Sequence, residues 1–395
     1  MTKTTVQGGS FDAVQGRPIR VCIISPLGHG LYHPASGQPF GGAEVQCYLL
    51  AMALSEDPAF QVSVLTTVNE GGGEEQLDRV RVVARVGKKR VGADGTGTLR
   101  GSVSAFAEMY HTLGAVDADV YLHAGAGVEV GAYALICRLL RRRFLFVVAS
   151  SGDLVGRPPN VHGPLAWLYS LGLRLTHAIV CRTAEQQAAL RMKIASEGIL
   201  IRSGHALPPT GASPRPDKST ILWVGRMHPL KQPELFLDLA ARLPKERFVM
   251  VAARDATQPA LHARILDRAG NLSNVTVRED VLWSDVGEYF EQAKLFVNTS
   301  TYEGFPNTFV QSAMRGVPIL SWQVDPDRVL AERRIGSCAE GSFERLVAAT
   351  EELCDNEPLR MEVGRRAIAY ARAYHDLTRT TAQFKELIRR VTRGR

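Results

Sequence analysis

Apolar residues in this chain gather in short runs, and between the runs they recur every three or four positions. Residues 20–25, 61–66, 80–84, 119–123, 144–150 and 177–181 read as strands. Val45, Tyr48, Leu49 and Met52, and later Phe106, Met109, Tyr110 and Leu113, fall at helical spacing. Strands alternating with helices predict a parallel sheet flanked by helices, an α/β architecture. Pro208, Pro209, Pro214 and Pro216 interrupt the alternation within 205–219, which reads as an interdomain linker. The alternation resumes with strand-like runs at 221–224, 247–252, 275–277, 295–298 and 318–321. Beyond Ser342 only helical patterns remain, the last over 378–393. The expected organisation is two parallel-sheet domains, 18–207 and 217–375, followed by a C-terminal helix in 376–395. Ligands of such sheets bind outside the carboxyl ends of the strands, so two facing sheets would hold one in a central cleft.

A length of 395 residues, 45% hydrophobic and 22% charged, suits two globular cores. Even a long apolar run such as 144–149 is far too short to cross a bilayer. Residues 1–17 lack the apolar stretch of a secretion signal and read as a frayed tail. Cys22, Cys47, Cys137, Cys181, Cys338 and Cys354 have no paired spacing and mostly sit at apolar positions, as free thiols do in a reducing compartment, so the expected location is cytoplasmic. A net charge of +7 draws attention to Arg138, Arg141, Arg142 and Arg143 near a helix end, and to Arg389, Arg390, Arg393 and Arg395 at the C-terminus. Such clusters either are solvated surface or touch anionic lipid at the inner membrane face or a phosphorylated acceptor. No motif points to nucleic acid. No metal is expected, because no Cys or His cluster has ligand spacing and Asp117-Ala118-Asp119 reads as a turn ahead of a strand.

Chemistry concentrates in the second half. After the run Leu295-Phe296-Val297 comes a loop with a lone acid and a glycine, Ser300-Thr301-Tyr302-Glu303-Gly304-Phe305-Pro306-Asn307-Thr308, and Pro306 opens a helix. Glu303 is placed to accept from sugar hydroxyls, and the free amides at the helix start face a phosphate or the sugar edge. A second strand, 220–226, ends in Gly225-Arg226, with Lys231 five residues on. Cleaving a sugar from a nucleotide diphosphate leaves negative charge on the departing oxygen, and two fixed cations suit that charge. In the first half, a strand, a loop ending in Gly41-Gly42-Ala43-Glu44 and a helix make a phosphate-binding arrangement, although paired glycines before a helix also serve as plain turn chemistry.

Together these residues resemble the signature of retaining glycosyltransferases of the GT-B fold, in particular family 4 of the sequence-based classification, glycosyl transferases group 1. The resemblance implies two Rossmann-like domains facing a central cleft, with the last helix crossing back onto the first domain. It implies transfer of a sugar from a nucleotide-diphosphate donor to an acceptor hydroxyl, with retention of configuration, no metal and no cofactor beyond the donor. Glu303 would contact the donor sugar, Arg226 and Lys231 would clamp the diphosphate, and Gly41 and Gly42 would face it from across the cleft. Gly304, Phe305, Pro306, Asn307 and Thr308 complete the donor loop. The family's second acid, which bonds the ribose diol, is here Gln311. A glutamine carbonyl still accepts from a diol, without the strength of a charged acceptor.

Other departures matter too. Many relatives carry a histidine after an N-domain strand, where this chain reads Val148-Ala149-Ser150-Ser151-Gly152-Asp153. Asp153 either takes a hydroxyl or is a helix cap. His123, at a strand terminus, and His29 and His33, in the first loop, are the remaining candidates on that side. A glycine-rich turn expected after the second strand of the C-terminal domain is replaced by Val251-Ala252-Ala253-Arg254-Asp255, where Arg254 would add a cation to the clamp; 281–284 would border the base. Asp325-Pro326-Asp327 either borders the sugar pocket or starts a helix. The expected acceptor is a glycan, a lipid-linked sugar or a small molecule, in polysaccharide, glycolipid or other glycoconjugate synthesis. The alternative is an inactive nucleotide-sugar-binding protein of the same fold, with Gln311 as its mark. A nicotinamide dehydrogenase is disfavoured by the lack of a Gly-x-Gly-x-x-Gly turn after the first strand.

Overall fold

The computed structural model describes residues 16–87, 99–154, 167–208, 218–279 and 281–393. The first sheet contains β1 (Ile19–Ile24), β2 (Phe60–Val68), β3 (Gly73–Leu77), β4 (Val80–Val86), β5 (Val120–Ala124), β6 (Arg143–Val147), β7 (Ala178–Cys181) and β8 (Ile199–Leu200). Their order is β3-β4-β2-β1-β5-β6-β7-β8, parallel except that β3 runs antiparallel to β4. The second sheet contains β9 (Thr220–Arg226), β10 (Arg247–Ala253), β11 (Val275–Arg278), β12 (Ala293–Asn298), β13 (Ile319–Ser321) and β14 (Gly336–Cys338). It is parallel throughout, in the order β11-β10-β9-β12-β13-β14. Two Rossmann-like parallel-sheet domains are thus the architecture.

Between the strands lie α1 (His29–Tyr32), α2 (Gly42–Ser55), α3 (Leu99–Val116), α4 (Glu129–Leu139), α5 (Trp167–Leu175), α6 (Ala184–Ile194), α7 (Pro233–Arg242), α8 (Pro259–Gly270), α9 (Val286–Gln292), α10 (Asn307–Ala313) and α11 (Val329–Glu332), with α12 (Phe343–Asp355), α13 (Glu357–Tyr374) and α14 (Leu377–Arg393) at the end. Each sheet buries both faces. In the first, Cys22, Tyr121, Phe144 and Phe146 pack on α4 and α5, while Val21, Ile23, Val62 and Val120 pack on α2 and α14. Phe384, Leu387 and Ile388 of α14 follow helical spacing and are buried in that first-domain core, each contributing on the order of 1.5–3 kcal/mol. The end of the chain therefore returns to the domain in which it began.

The chain crosses between domains near 205 and again near 376, and the crossings are bonded together. His205 N donates to His375 O at 2.9 Å, and Leu377 N donates to His205 O at 3.0 Å. Three strands, β3, β8 and β14, were not expected from the sequence. β3 is almost wholly exposed and β14 has three residues, so neither has an apolar period to read. Pro209, Pro214 and Pro216 of the expected linker, residues 1–15 of the expected tail, and Arg395 lie outside the described residues. No helix among the described residues is long and apolar enough to cross a membrane.

Candidate active site

The carboxyl ends of β9 and β12 build one bank of the cleft. Trp223 Nε1 of β9 donates to Thr299 Oγ1 at 2.8 Å, and Thr299 Oγ1 donates to Lys231 O at 2.5 Å. Thr301 N donates to Leu230 O at 3.0 Å, so the turn carrying Lys231 and the loop carrying Glu303 are stitched together. The consequence is an ion pair between Lys231 Nζ and Glu303 Oε1, with Ser300 Oγ donating to the same carboxylate oxygen at 2.9 Å. Arg226 ends β9 and pairs in register with Ala253, which puts Arg254 one residue beyond the neighbouring strand end. Asp255 follows. Burial alone would raise its carboxyl, but hydrogen bonds from Thr257 and the charges of Arg226 and His228 hold it below the usual range.

The opposite bank approaches closely. A Cβ added at Gly41 would lie 3.9 Å from Arg226 Nη2, so the glycine loop faces Arg226 across the cleft. Gly41 N is committed to Glu44 Oε2 at 2.9 Å, leaving the next amides at the start of α2 without an intrahelical partner. Asn307 Nδ2 donates to Gly42 O at 2.8 Å, and Gln46 Nε2 donates to Asn307 Oδ1 at 2.9 Å. Gln46 is in turn fixed by Gly204, through Nε2 to the carbonyl at 3.2 Å and from the amide to Oε1 at 3.0 Å. His205 Nε2 lies 3.4 Å from Asn307 Oδ1 and 3.2 Å from Gln46 Nε2, and burial pushes its imidazole down to about 4, so the ring is neutral.

Gly304 is needed for a reason unrelated to any ligand. A Cβ on it would fall 2.4 Å from Ala149 O, so the loop carrying Glu303 rests directly on the chain leaving β6. Beside it, a Cβ on Gly152 would fall 2.9 Å from Tyr302 Oη. Tyr48 of α2 meets Trp283 edge to face at 5.8 Å between ring centroids. Gln46, Tyr302 and Trp283 were missed as cross-cleft contacts. Only Gln46 left a signal, a polar residue on the same helical face as Leu49 and Leu50.

The remaining sequence candidates are placed as follows. Phe305 is buried, with its ring 4.7 Å from that of His375, and Pro306 is the N-cap of α10 rather than its first residue. Thr308 is half-buried in the first turn, and Gln311 is buried one turn later. Asp153 Oδ2 accepts from Ala149 N at 2.9 Å and Ser150 N at 3.0 Å, so the carboxylate caps its own loop; burial raises it to about 6. His123 is buried, with Nδ1 2.9 Å from Ile24 O, and His33 pairs with Glu75 of β3. Asp325 Oδ1 accepts from Leu330 N at 2.8 Å, a cap on α11. Asp327 reaches the first domain instead, accepting from Ala184 N and Glu185 N at 3.1 Å each and from Arg202 Nη1 at 3.0 Å. Its backbone has φ of 53°, a left-handed conformation that aims it at the start of α6. Asp117 and Asp119 are paired with arginines, and no group of three or more His, Cys, Asp or Glu among the described residues could hold a metal ion.

Residues 218–356 match the family described as glycosyl transferases group 1. A D-inositol 3-phosphate glycosyltransferase of Paenarthrobacter aurescens is 27% identical over 168 residues, 40% of this chain and 41% of that protein. The Vi polysaccharide biosynthesis protein VipC/TviE of Salmonella typhi is 34% identical over 99 residues, 23% of this chain and 16% of its own length. The chain thus aligns with less than half of these relatives. Among solved structures, sucrose-phosphate synthase of Thermosynechococcus elongatus superposes with a TM-score of 0.76 at 15% identity, covering 95% of this chain and 100% of that one. Anabaena Alr3699/HepE, in complex with UDP and glucose, gives 0.70 at 14% identity over 94% and 99%. The protein therefore has the GT-B fold, and its residues 218–356 match the model of the glycosyl transferases group 1 family.

Proposed function

We propose that the protein is a glycosyltransferase that moves a sugar from a nucleotide-diphosphate donor to an acceptor hydroxyl, with retention of configuration and without a metal ion. The observation that carries this reading is the convergence of Glu303, Lys231 and Arg226 at adjoining strand ends, opposite the Gly41–Gly42 loop. In this reading the donor diphosphate takes Lys231 and Arg226 as counter-ions, with Arg254 adding charge at the neighbouring strand end. Amides at the start of α2 approach from the other side. Glu303, no longer neutralising Lys231 alone, then accepts hydrogen bonds from sugar hydroxyls and orients the ring. As the bond to the anomeric carbon breaks, the cations stabilise the charge on the departing phosphate oxygen, and that oxygen takes the proton of the incoming hydroxyl.

The solved neighbours bound to UDP with glucose and to UDP-2-fluoro glucose make uridine diphosphate sugars the first donors to try. The names of the relatives favour a glycoconjugate or polysaccharide product. Buried free thiols at Cys22, Cys47, Cys137 and Cys181 favour a reducing cytoplasm. The test is incubation with a panel of sugar nucleotides, following release of nucleoside diphosphate. Slow hydrolysis of one donor, unaffected by a chelator, is expected, and the anomeric configuration of the product reports on retention. Tight binding of a donor without turnover, with any acceptor, would leave a binding protein in place of an enzyme.

A further inference from the structure

At the amino ends of β6 and β7, on the far side of the first sheet from the cleft, Arg138, Leu140, Arg141, Arg142, Arg143 and His177 line a cavity of about 600 Å³. β6 separates the two places: Arg143 begins it and Ala149 lies just past its end, a span of roughly 20 Å at strand rise. The acids described at this edge are shared among several arginines. Asp117 and Asp119 are occupied by Arg17, Arg20 and Arg142. Arg138 has no carboxylate partner among the described residues; its Nε donates to Leu175 O at 3.1 Å, and the end of α4 accounts for a cation there. Arg141 lies past the helix at φ of 55°, and its guanidinium has no partner among the described residues.

His177 completes the lining in a way that adds another donor. Its Nδ1 accepts from Phe144 N at 3.1 Å, so the neutral ring carries its proton on Nε2. Burial first, then the charges of Arg143 and Arg138, push the imidazole down to about 4. The polar lining among the described residues is therefore guanidinium and imidazole N–H groups, with no carboxylate among them. Planar guanidinium donors match phosphate oxygens, and the volume accommodates a diphosphate or a phospholipid headgroup. Leu139, 58% exposed, stands beside it.

We propose that this cavity binds a phosphate-bearing anion at a second site, separate from the donor cleft and independent of glycosyl transfer. Calorimetric titration with inorganic pyrophosphate tests it, because the cleft can be silenced separately. Wild type should bind two pyrophosphates, Arg226→Ala one, and the double variant Arg138→Ala/Arg141→Ala one, with the second site at least tenfold weaker in that variant and nucleoside diphosphate release unchanged. In Arg226→Ala the His177 ring proton resonances should shift on titration, which locates the bound anion. If the double variant retains wild-type stoichiometry and affinity, or the His177 resonances stay still, the proposal is overturned. A wild type that binds one pyrophosphate, lost in the double variant, would uphold this site and count against the donor cleft. Sedimentation with phosphatidylcholine vesicles, with and without phosphatidylglycerol, identifies the source of the phosphate. Binding to the anionic vesicles that is lost in the double variant assigns a lipid headgroup, and pyrophosphate binding without vesicle binding assigns a free phosphate compound.

Discussion

The two banks of the cleft are built from different materials. Where β9 and β12 end, the surface is charged side chain: Arg226, Lys231 and Glu303. Where β1 and β6 lead into the facing bank, contact is made by backbone carbonyls, those of Gly42 and Ala149 meeting Asn307 and Gly304, and by the uncharged side chains of Gln46 and Tyr48. A charged bank does chemistry on a ligand, and a backbone bank sets how closely the lobes can approach. If that division is real, substitutions on the two banks should fail in different ways. Removing a charge should cost turnover with little loss of stability, whereas adding atoms at the backbone contacts should hold the lobes apart.

The largest effect is expected on the charged bank. Glu303→Ala and Arg226→Ala should each lower donor turnover by about 10²–10³-fold, the usual loss for one group aimed at transition-state charge. Thermal melting should hardly change for Arg226→Ala, whose residue is exposed, and should fall only modestly for Glu303→Ala, which leaves the part-buried Lys231 without its ion pair. Unchanged turnover in either variant would remove these residues from the site and dissolve the comparison.

Asp153 sharpens the contrast, because it is an acid on the backbone bank that spends itself on backbone. Its carboxyl ordinarily titrates near 3.8 and is lifted to about 6 by burial, so the folded state holds the proton more tightly than the unfolded chain does. Stability should then fall as pH rises from about 4 to about 6, by up to about 3 kcal/mol for a shift of this size. Both amide bonds go to Oδ2, and an asparagine carbonyl can accept both. Asp153→Asn should therefore abolish that slope in denaturant melts while leaving turnover near wild type. A large loss of turnover at constant stability would make Asp153 a participant in the reaction.

Gly304→Ala probes the approach of the lobes directly. The added methyl would lie 2.4 Å from Ala149 O, and overpacking of this kind costs about 1–3 kcal/mol. Turnover should fall about tenfold or more, through a raised donor KM. Gly73→Ala is the control, since a Cβ there meets nothing within 4 Å, and it should change neither quantity measurably. Equal behaviour of the two variants would mean that the lobes need not close as they do here.

The division also explains what could be read in advance. Strands with an apolar period, and motifs in which a charge follows a strand, are local facts of the sequence, and Glu303, Lys231 and Arg226 were found that way. Contacts between lobes are not local. Gln46 bonds Asn307 261 residues away, and nothing near either residue names the other. Gly304 was legible as a glycine in a motif, yet the neighbour that forbids a side chain, Ala149, belongs to the other domain. Asp327 was read as pocket wall or helix start and turns out to bond α6 of the first domain. A short exposed strand such as β3 earns its place by pairing with β4, and its own residues carry no trace of that.

Gln46→Ala should have a smaller effect than Gly304→Ala. It removes a cross-cleft hydrogen bond and leaves the Gly204 amide and carbonyl to find water, a loss of about 1 kcal/mol. A several-fold rise in donor KM with kcat nearly unchanged is the expected split. Gln46→Glu would keep the acceptor for Gly204 N but lose the donors to Asn307 and Gly204 O, so it should not rescue. Rescue by glutamate would mean that the donor bond to Asn307 is not what holds the lobes.

The smallest effect is expected at Gln311, the one charged-bank position where a neutral residue replaces the family's acid. The residue is buried, and its backbone carbonyl accepts from Arg315 Nη1 at 3.4 Å. A charged acceptor strengthens a hydrogen bond to a hydroxyl by about 1 kcal/mol, and desolvation of the new charge works against it. Gln311→Glu should therefore lower the donor KM by no more than about fivefold, leaving kcat as it was. Were donor binding to tighten in that variant while wild type and variant alike failed to release nucleoside diphosphate, the charged bank would be a binding surface only, and the contrast between the banks would concern recognition instead of catalysis.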